Sequence, residues 1–176
     1  MRTIYVIGTV SCMMPQKEME LKLLLQVVDP DQIFVQIDPE DMRLGNTQYS
    51  AKEMLFVYNW GMQKQKKVLC FDKRMDVSSA FLDDKKRNEI KTEMAHLFAG
   101  TNWKEFNKFN SEIYKKFDRL KCLLADENKE RERHYAMIAN IEKDLISKGK
   151  VLILVNIGHL PYFETNIKEA LFPLRR

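Results

Sequence analysis

Short apolar runs that end in small or polar residues punctuate this chain. Ile4-Tyr5-Val6-Ile7 leads into Gly8-Thr9-Val10-Ser11, and Val151-Leu152-Ile153-Leu154-Val155 leads into Asn156-Ile157-Gly158-His159. A parallel strand covered by helices on both faces reads this way, because neither of its faces needs polar positions. The pattern predicts strands over 3–8, 32–37, 67–72 and 150–156. Between them, Leu21, Leu24, Leu25 and Val28 fall at helical spacing, which predicts a helix over 16–28 stopped by Asp29-Pro30. A loop containing Gly45 leads to a second helix from Ser50 to about Gln65.

The middle of the chain turns helical. A helix is predicted over 83–98, ended by Gly100, and another over 101–124. In the second, Trp103, Phe106, Phe109, Ile113, Phe117, Leu120 and Leu124 trace an amphipathic stripe. A helix over 129–148 follows, with Ile138, Ile141 and Leu145 inward and Gly149 as its C-terminal cap. A last short helix carries Phe163, Ile167, Ala170 and Leu171. Strand–helix alternation with short connections argues for an α/β fold: a mainly parallel sheet, helices on both faces, and a helical insertion at 83–125 before the last strand. The whole chain, 1–176, reads as one domain. Ligand crevices in such sheets open at the carboxyl ends of the strands, so chemistry is expected where the apolar runs end.

Composition narrows the classes. The 176 residues suffice for one substantial core. The net charge is only +4, and the local excess over residues 61–91, nine Lys or Arg against five acids, reads as a solvated face, so nucleic acid is disfavoured as a partner. No apolar run reaches the roughly 18 residues of a membrane helix. The first residues enter a strand with no secretory segment, and Cys12, Cys70 and Cys122 are too widely spaced for a zinc or disulfide pattern, so a reducing cytoplasm is the expected location.

At the presumed carboxyl edge stand Ser11 and Cys12 after strand one, Gln36 and Asp38 at strand two, Asp72 at strand three and His159 after the last, with Glu53 and Arg133 on helices that could reach them. A base, a nucleophile and a cation for developing negative charge are all represented. Each has a plainer role too. His159, two residues before Pro161, can hydrogen-bond a turn, and Cys12 can be a small buried hydrophobe rather than a nucleophile activated by His159. Ser50 and Glu53 have capping-box spacing, and Asp72 can form a turn or a helix cap. The scattered methionines read as core filler.

With these residues located, the chain resembles the TraB/PrgY/GumN family, part of the wider set that includes TIKI metalloproteases, erythromycin esterases and ChaN haem-binding proteins. The resemblance covers roughly 3–76 and 130–161. It rests on Gly8-Thr9-Val10-Ser11 against the family's Gly-Thr-x-His, and on Pro30-Asp31 followed by the run through Gln36 to Asp38. Glu53-Met54 with Trp60, Phe71-Asp72, Glu132-Arg133-His134 through Met137, and Asn156-Ile157-Gly158-His159 continue it in order. Ser11 stands for the family's first histidine, Gln36 for its strand glutamate and His134 for its helix aspartate. The resemblance therefore implies the family's fold with an incomplete constellation. Ser and Gln provide neither an imidazole nor an anionic ligand, and His159 is left as a lone ligand.

The expected function is a pocket protein that binds a small molecule or peptide, or regulates a partner, with little or no catalysis; the alternative is a metal-dependent or Cys/His hydrolase of the peptidase or esterase class. Candidate catalytic residues are His159, Glu53, Asp72 and Arg133; Gly8, Thr9, Ser11, Cys12, Gln36, Asp38 and Gly158 are expected to line the pocket. No metal ligand set is assigned and no cofactor is expected beyond a weakly bound divalent metal. A homodimer is an open possibility, and no membrane partner is expected.

Overall fold

The computed structural model describes residues 1–9, 15–75, 83–99, 116, 119–120 and 123–173. In chain order the described elements are β1 (Arg2–Thr9), α1 (Pro15–Val28), β2 (Gln32–Val35), α2 (Pro39–Leu44), α3 (Lys52–Gln63), β3 (Lys67–Cys70), α4 (Asp84–Ala99), α5 (Glu127–Asp144), β4 (Gly149–Asn156), α6 (Leu160–Asn166) and β5 (Ala170–Leu171). Single turns of 3-10 helix occupy Thr47–Tyr49 and Ile157–His159.

The five strands form one sheet in the order β3-β2-β4-β1-β5, and every pairing is parallel. β4 lies at the centre, with Val151, Leu152, Ile153, Leu154 and Val155 all at 0% exposure. Its side chains alternate between two cores, as a pleated strand requires. Val151, Ile153 and Val155 join Met137 and Ile141 of α5 and Leu160 and Phe163 of α6. Leu152 and Leu154 join Leu21 and Leu25 of α1 and Met54, Val57 and Trp60 of α3 on the other face. The expected α/β architecture with helices on both faces is what the chain forms. Within the predicted insertion, α4 is as expected, whereas most of the stripe from Trp103 to Phe117 lies outside the described residues; Leu120 of that stripe is buried.

Four local readings are corrected. The Gly45 loop contains a short helix, α2, whose N-cap is Asp38, whose first residue is Pro39 and whose C-cap is Gly45 at φ +74°. Six residues are too few to show a periodicity, but the caps were written in the sequence. Secondly, Ala51 is the N-cap of α3 and makes no side-chain cap bond, so Ser50 and Glu53 do not form a capping box. Ser50 instead closes the preceding 3-10 turn, its N–H donating to Thr47 O. Thirdly, Ala170 and Leu171 are strand, paired with Ile4 and Tyr5, and not the end of the last helix.

The fourth concerns Gly149. α5 stops at Asp144, before Gly149, because β2 and β3 take over its end: buried Gln32 donates from Nε2 to Asp144 O at 2.8 Å and accepts from Ile146 N at 3.0 Å, while Lys67 Nζ donates to Asp144 O. Gly149 instead begins β4 at φ +104°. A Cβ there would lie 2.5 Å from Asp31 Oδ2, the same oxygen that accepts from Lys150 N. Gly149→Ala should therefore combine backbone strain with a clash and lower stability by about 1–3 kcal/mol. Urea unfolding followed by circular dichroism checks this; a midpoint equal to the parent's would contradict it.

Candidate functional site

Since all strands run the same way, their polar endings gather at one edge. β2 continues into Gln36, whose N–H still donates to Leu154 O, and β3 continues into Asp72, whose N–H donates to Ile37 O. The helices that follow β1 and β4 leave toward opposite faces, since α1 packs in one core and α6 in the other. That is the arrangement that opens a crevice beside the strand ends. A cleft of about 510 Å³ occupies this edge, lined by Gln36, Asp38, Asp72, Arg133, Asn156 and His159 among others.

Asp72 is the hub. Arg133 of α5 donates to it twice, Nε to Oδ1 at 2.9 Å and Nη2 to Oδ2 at 2.6 Å. Gln36 Nε2 also donates to Oδ2, at 3.2 Å, while Gln36 Oε1 accepts from Asn156 N at 2.6 Å. One side-chain amide thus ties the ends of β2, β3 and β4 together. Burial alone would lower the Arg133 pKa, but the hydrogen bonds and charge of Asp72, joined by Glu130 and Asp38, hold it above its ordinary value. Arg133 is a permanent cation here.

Asp38 proves to be architectural as well as exposed to the cleft. Its Oδ1 accepts from Glu40 N and Asp41 N at the start of α2, and its Oδ2 accepts from Arg74 N at 2.7 Å. Arg74 in turn pairs with Asp41 at 3.1 Å. Met54, Met75 and Met94 supply apolar wall to the same cleft. Cys70, the last residue of β3, is a half-buried thiol pushed up to about 11 by burial and by the nearby charge of Asp38, which leaves it a poor nucleophile.

Of the sequence-predicted residues, Gln36, Asp38, Asp72, Arg133 and His159 meet in this cleft. Gly8 and Thr9 are buried in the sheet at the end of β1, where Thr9 Oγ1 donates to Val155 O at 3.3 Å. Gly158 is buried in the 3-10 turn, and its N–H donates to Asn156 Oδ1. Glu53 is buried in the first turn of α3, and the cleft wall there is made by Ser50, Ala51 and Met54. Ser11 and Cys12, and with them the conceivable Cys12–His159 dyad, lie outside the described residues.

His159 is not a lone imidazole. Its Nδ1 stands 2.8 Å from His134 Nε2, a hydrogen-bond separation whose donor depends on the tautomers. Glu130 Oε1 is 3.3 Å from His159 Nδ1 and 3.5 Å from His134 Nε2. Tyr162 of α6 stacks on the His134 ring at 4.2 Å between centroids and 17° between planes. The sequence reading does not reach this group, because the resemblance matches His134 to a family aspartate. The signal was present: Glu130 and His134 are four apart in a predicted helix, hence on one face.

No protein-family model matches the chain, no curated protein matches it significantly, and no solved structure does.

The Gln36 bridge generates a direct prediction. Gln36→Glu keeps the shape but replaces the donor to Asp72 with a second carboxylate. It should cost about 1–3 kcal/mol at pH 7, from the lost hydrogen bond and the like charge. The introduced carboxyl would have a raised folded-state pKa, so the deficit should shrink as pH falls and that group takes up its proton. Urea midpoints at pH 7 and at about pH 4.5 test this; a pH-independent deficit would argue against a charge origin.

Proposed function

We propose that this chain is a TraB/TIKI-like pocket protein whose carboxyl-edge cleft binds a small molecule or a short peptide, with little or no hydrolysis by the cleft itself. The observation that carries this reading is the commitment of Asp72. Its two oxygens accept from Gln36, from two nitrogens of Arg133 and from Lys73 N. A carboxylate whose acceptor positions are filled in this way has little left with which to take a proton from a substrate or a water. What the cleft does offer is recognition: Asp38, Asp41 and Arg74 give charge, Asn156 and Ser50 give polar contacts, and three methionines give an adaptable apolar surface. A ligand with one charged and one apolar part fits that lining.

A second reading, a metal-dependent hydrolase of the peptidase or esterase class, is favoured by one specific observation. His159 belongs both to the cleft wall and to the cluster with Glu130 and His134.

The two are separated by one experiment. A panel of dipeptides, tripeptides and small polar acids and amines is screened by thermal shift against the parent and Ser50→Trp, which narrows the cleft without touching Asp72 or Arg133. Hydrolysis of p-nitrophenyl acetate and of fluorogenic peptides is measured in parallel. The pocket reading expects ligands that raise the parent's melting temperature and not the variant's, with hydrolysis at the buffer rate. Hydrolysis abolished by His159→Ala would move the assignment to the second reading; ligand shifts unaffected by Ser50→Trp would remove the cleft from the account.

A further inference from the structure

The turn of α5 that carries Arg133 also carries a cluster that the cleft reading does not use. Glu130 and His134 project from one face of the helix, and His159 meets them from the 3-10 turn after β4. We propose that Glu130, His134 and His159 form a binding site for a divalent transition metal of the zinc class. The proposal stands on this cluster alone and does not require the cleft to bind anything.

Geometry is the first support. Donors held 2.0–2.1 Å from a tetrahedral zinc lie about 3.3–3.4 Å from one another. The three separations here, 2.8, 3.3 and 3.5 Å, bracket that value. A small movement of one imidazole away from the other would equalise them around an ion.

Donor chemistry is the second. Two imidazoles and one carboxylate form a set that suits zinc and its first-row neighbours. Calcium and magnesium prefer oxygen ligands, so the two histidines select against them.

Preorganisation is the third. Asp126 caps the N-terminus of α5 by accepting from Asn128 N and Lys129 N, and Gln32 and Lys67 hold its C-terminus. The Arg133–Asp72 bond pins the turn between the two helical donors to the sheet edge. On the other side, β4 is fully buried from Val151 to Val155, so the turn that presents His159 starts from a fixed base. His159 itself is 3% exposed, and the Tyr162 ring fixes the plane of His134. A site held on rigid elements loses little order when an ion arrives.

A proton shared among the three side chains would give similar distances, and the experiment separates the two cases. The full-length chain is stripped with a chelator and titrated with zinc chloride by calorimetry, then loaded with cobalt for absorption spectroscopy. One ion per chain is expected. Glu130→Gln and His134→Ala should each weaken binding by about 100-fold or more, since even outer-shell partners of a metal are worth 10–100-fold. His96→Ala, which removes the remaining histidine of the chain from α4, should leave affinity unchanged. The cobalt form should show visible bands of a four- or five-coordinate ion without a thiolate charge-transfer band. Should a variant fail to fold, the parent's stoichiometry and cobalt spectrum still decide the matter. Absence of zinc binding, equal affinity in the parent and a folded Glu130→Gln, or a thiolate band pointing to the cysteines would each overturn the proposal.

Discussion

Arg133 grips Asp72 with two nitrogens where β3 ends and α5 passes the edge of the sheet. The arrangement of this edge depends on that contact. From the sheet side, Gln36 and the backbone of Asn156 extend it across β2 and β4. From the helix side, it fixes the rotation of α5 about its axis, and with it the direction in which Glu130 and His134 face. Both side chains are largely withdrawn from water, Arg133 at 18% and Asp72 at 12% side-chain exposure. A pair so placed is costly to break by removing one partner, since the survivor is left as an uncompensated charge.

The contact is possible because of the direction of the strands. In an all-parallel sheet every polar strand ending falls at the same edge, and every apolar run can be buried on both faces. The two cores share β4, with alternate side chains serving each, so the central strand cannot shift by one residue without exchanging the two sets. This rigidity places Asn156 and His159 reproducibly beside Gln36 and Asp72. The same edge therefore carries two adjoining chemistries: a polar cleft with a neutralised Asp–Arg pair, and a histidine–carboxylate cluster behind it, with His159 common to both.

Much of this was legible in the chain. The apolar runs at 4–7 and 151–155 announced buried parallel strands, and the meeting of Gln36, Asp72 and His159 followed from strand direction, with Arg133 placed opposite them by the order of motifs in the resemblance. What escaped had identifiable causes. Two residues are enough for β5 because it only extends an existing edge, and no pattern of two residues can be read as a strand. The end of α5 is set by Gln32, more than a hundred positions away, so no nearby glycine marks it. Glu53 at capping-box spacing became a buried helical residue because the chain enters α3 one residue later than that spacing assumes. His134 stands four residues after Glu130, an interval that puts both on one helix face, whereas the resemblance reads it only as a replaced aspartate. Pairing between elements, as with His159, is the part that local pattern cannot supply.

The Asp72–Arg133 contact joins helix to sheet as a specific bond and not as an incidental surface pair. A double-mutant cycle measures this directly, with Asp72→Ala, Arg133→Ala and the double variant compared in urea unfolding at pH 7. A coupling of about 2–3 kcal/mol is expected, with the double variant far less damaged than the sum of the singles. Strict additivity, with a coupling below about 0.5 kcal/mol as found for exposed pairs, would contradict it.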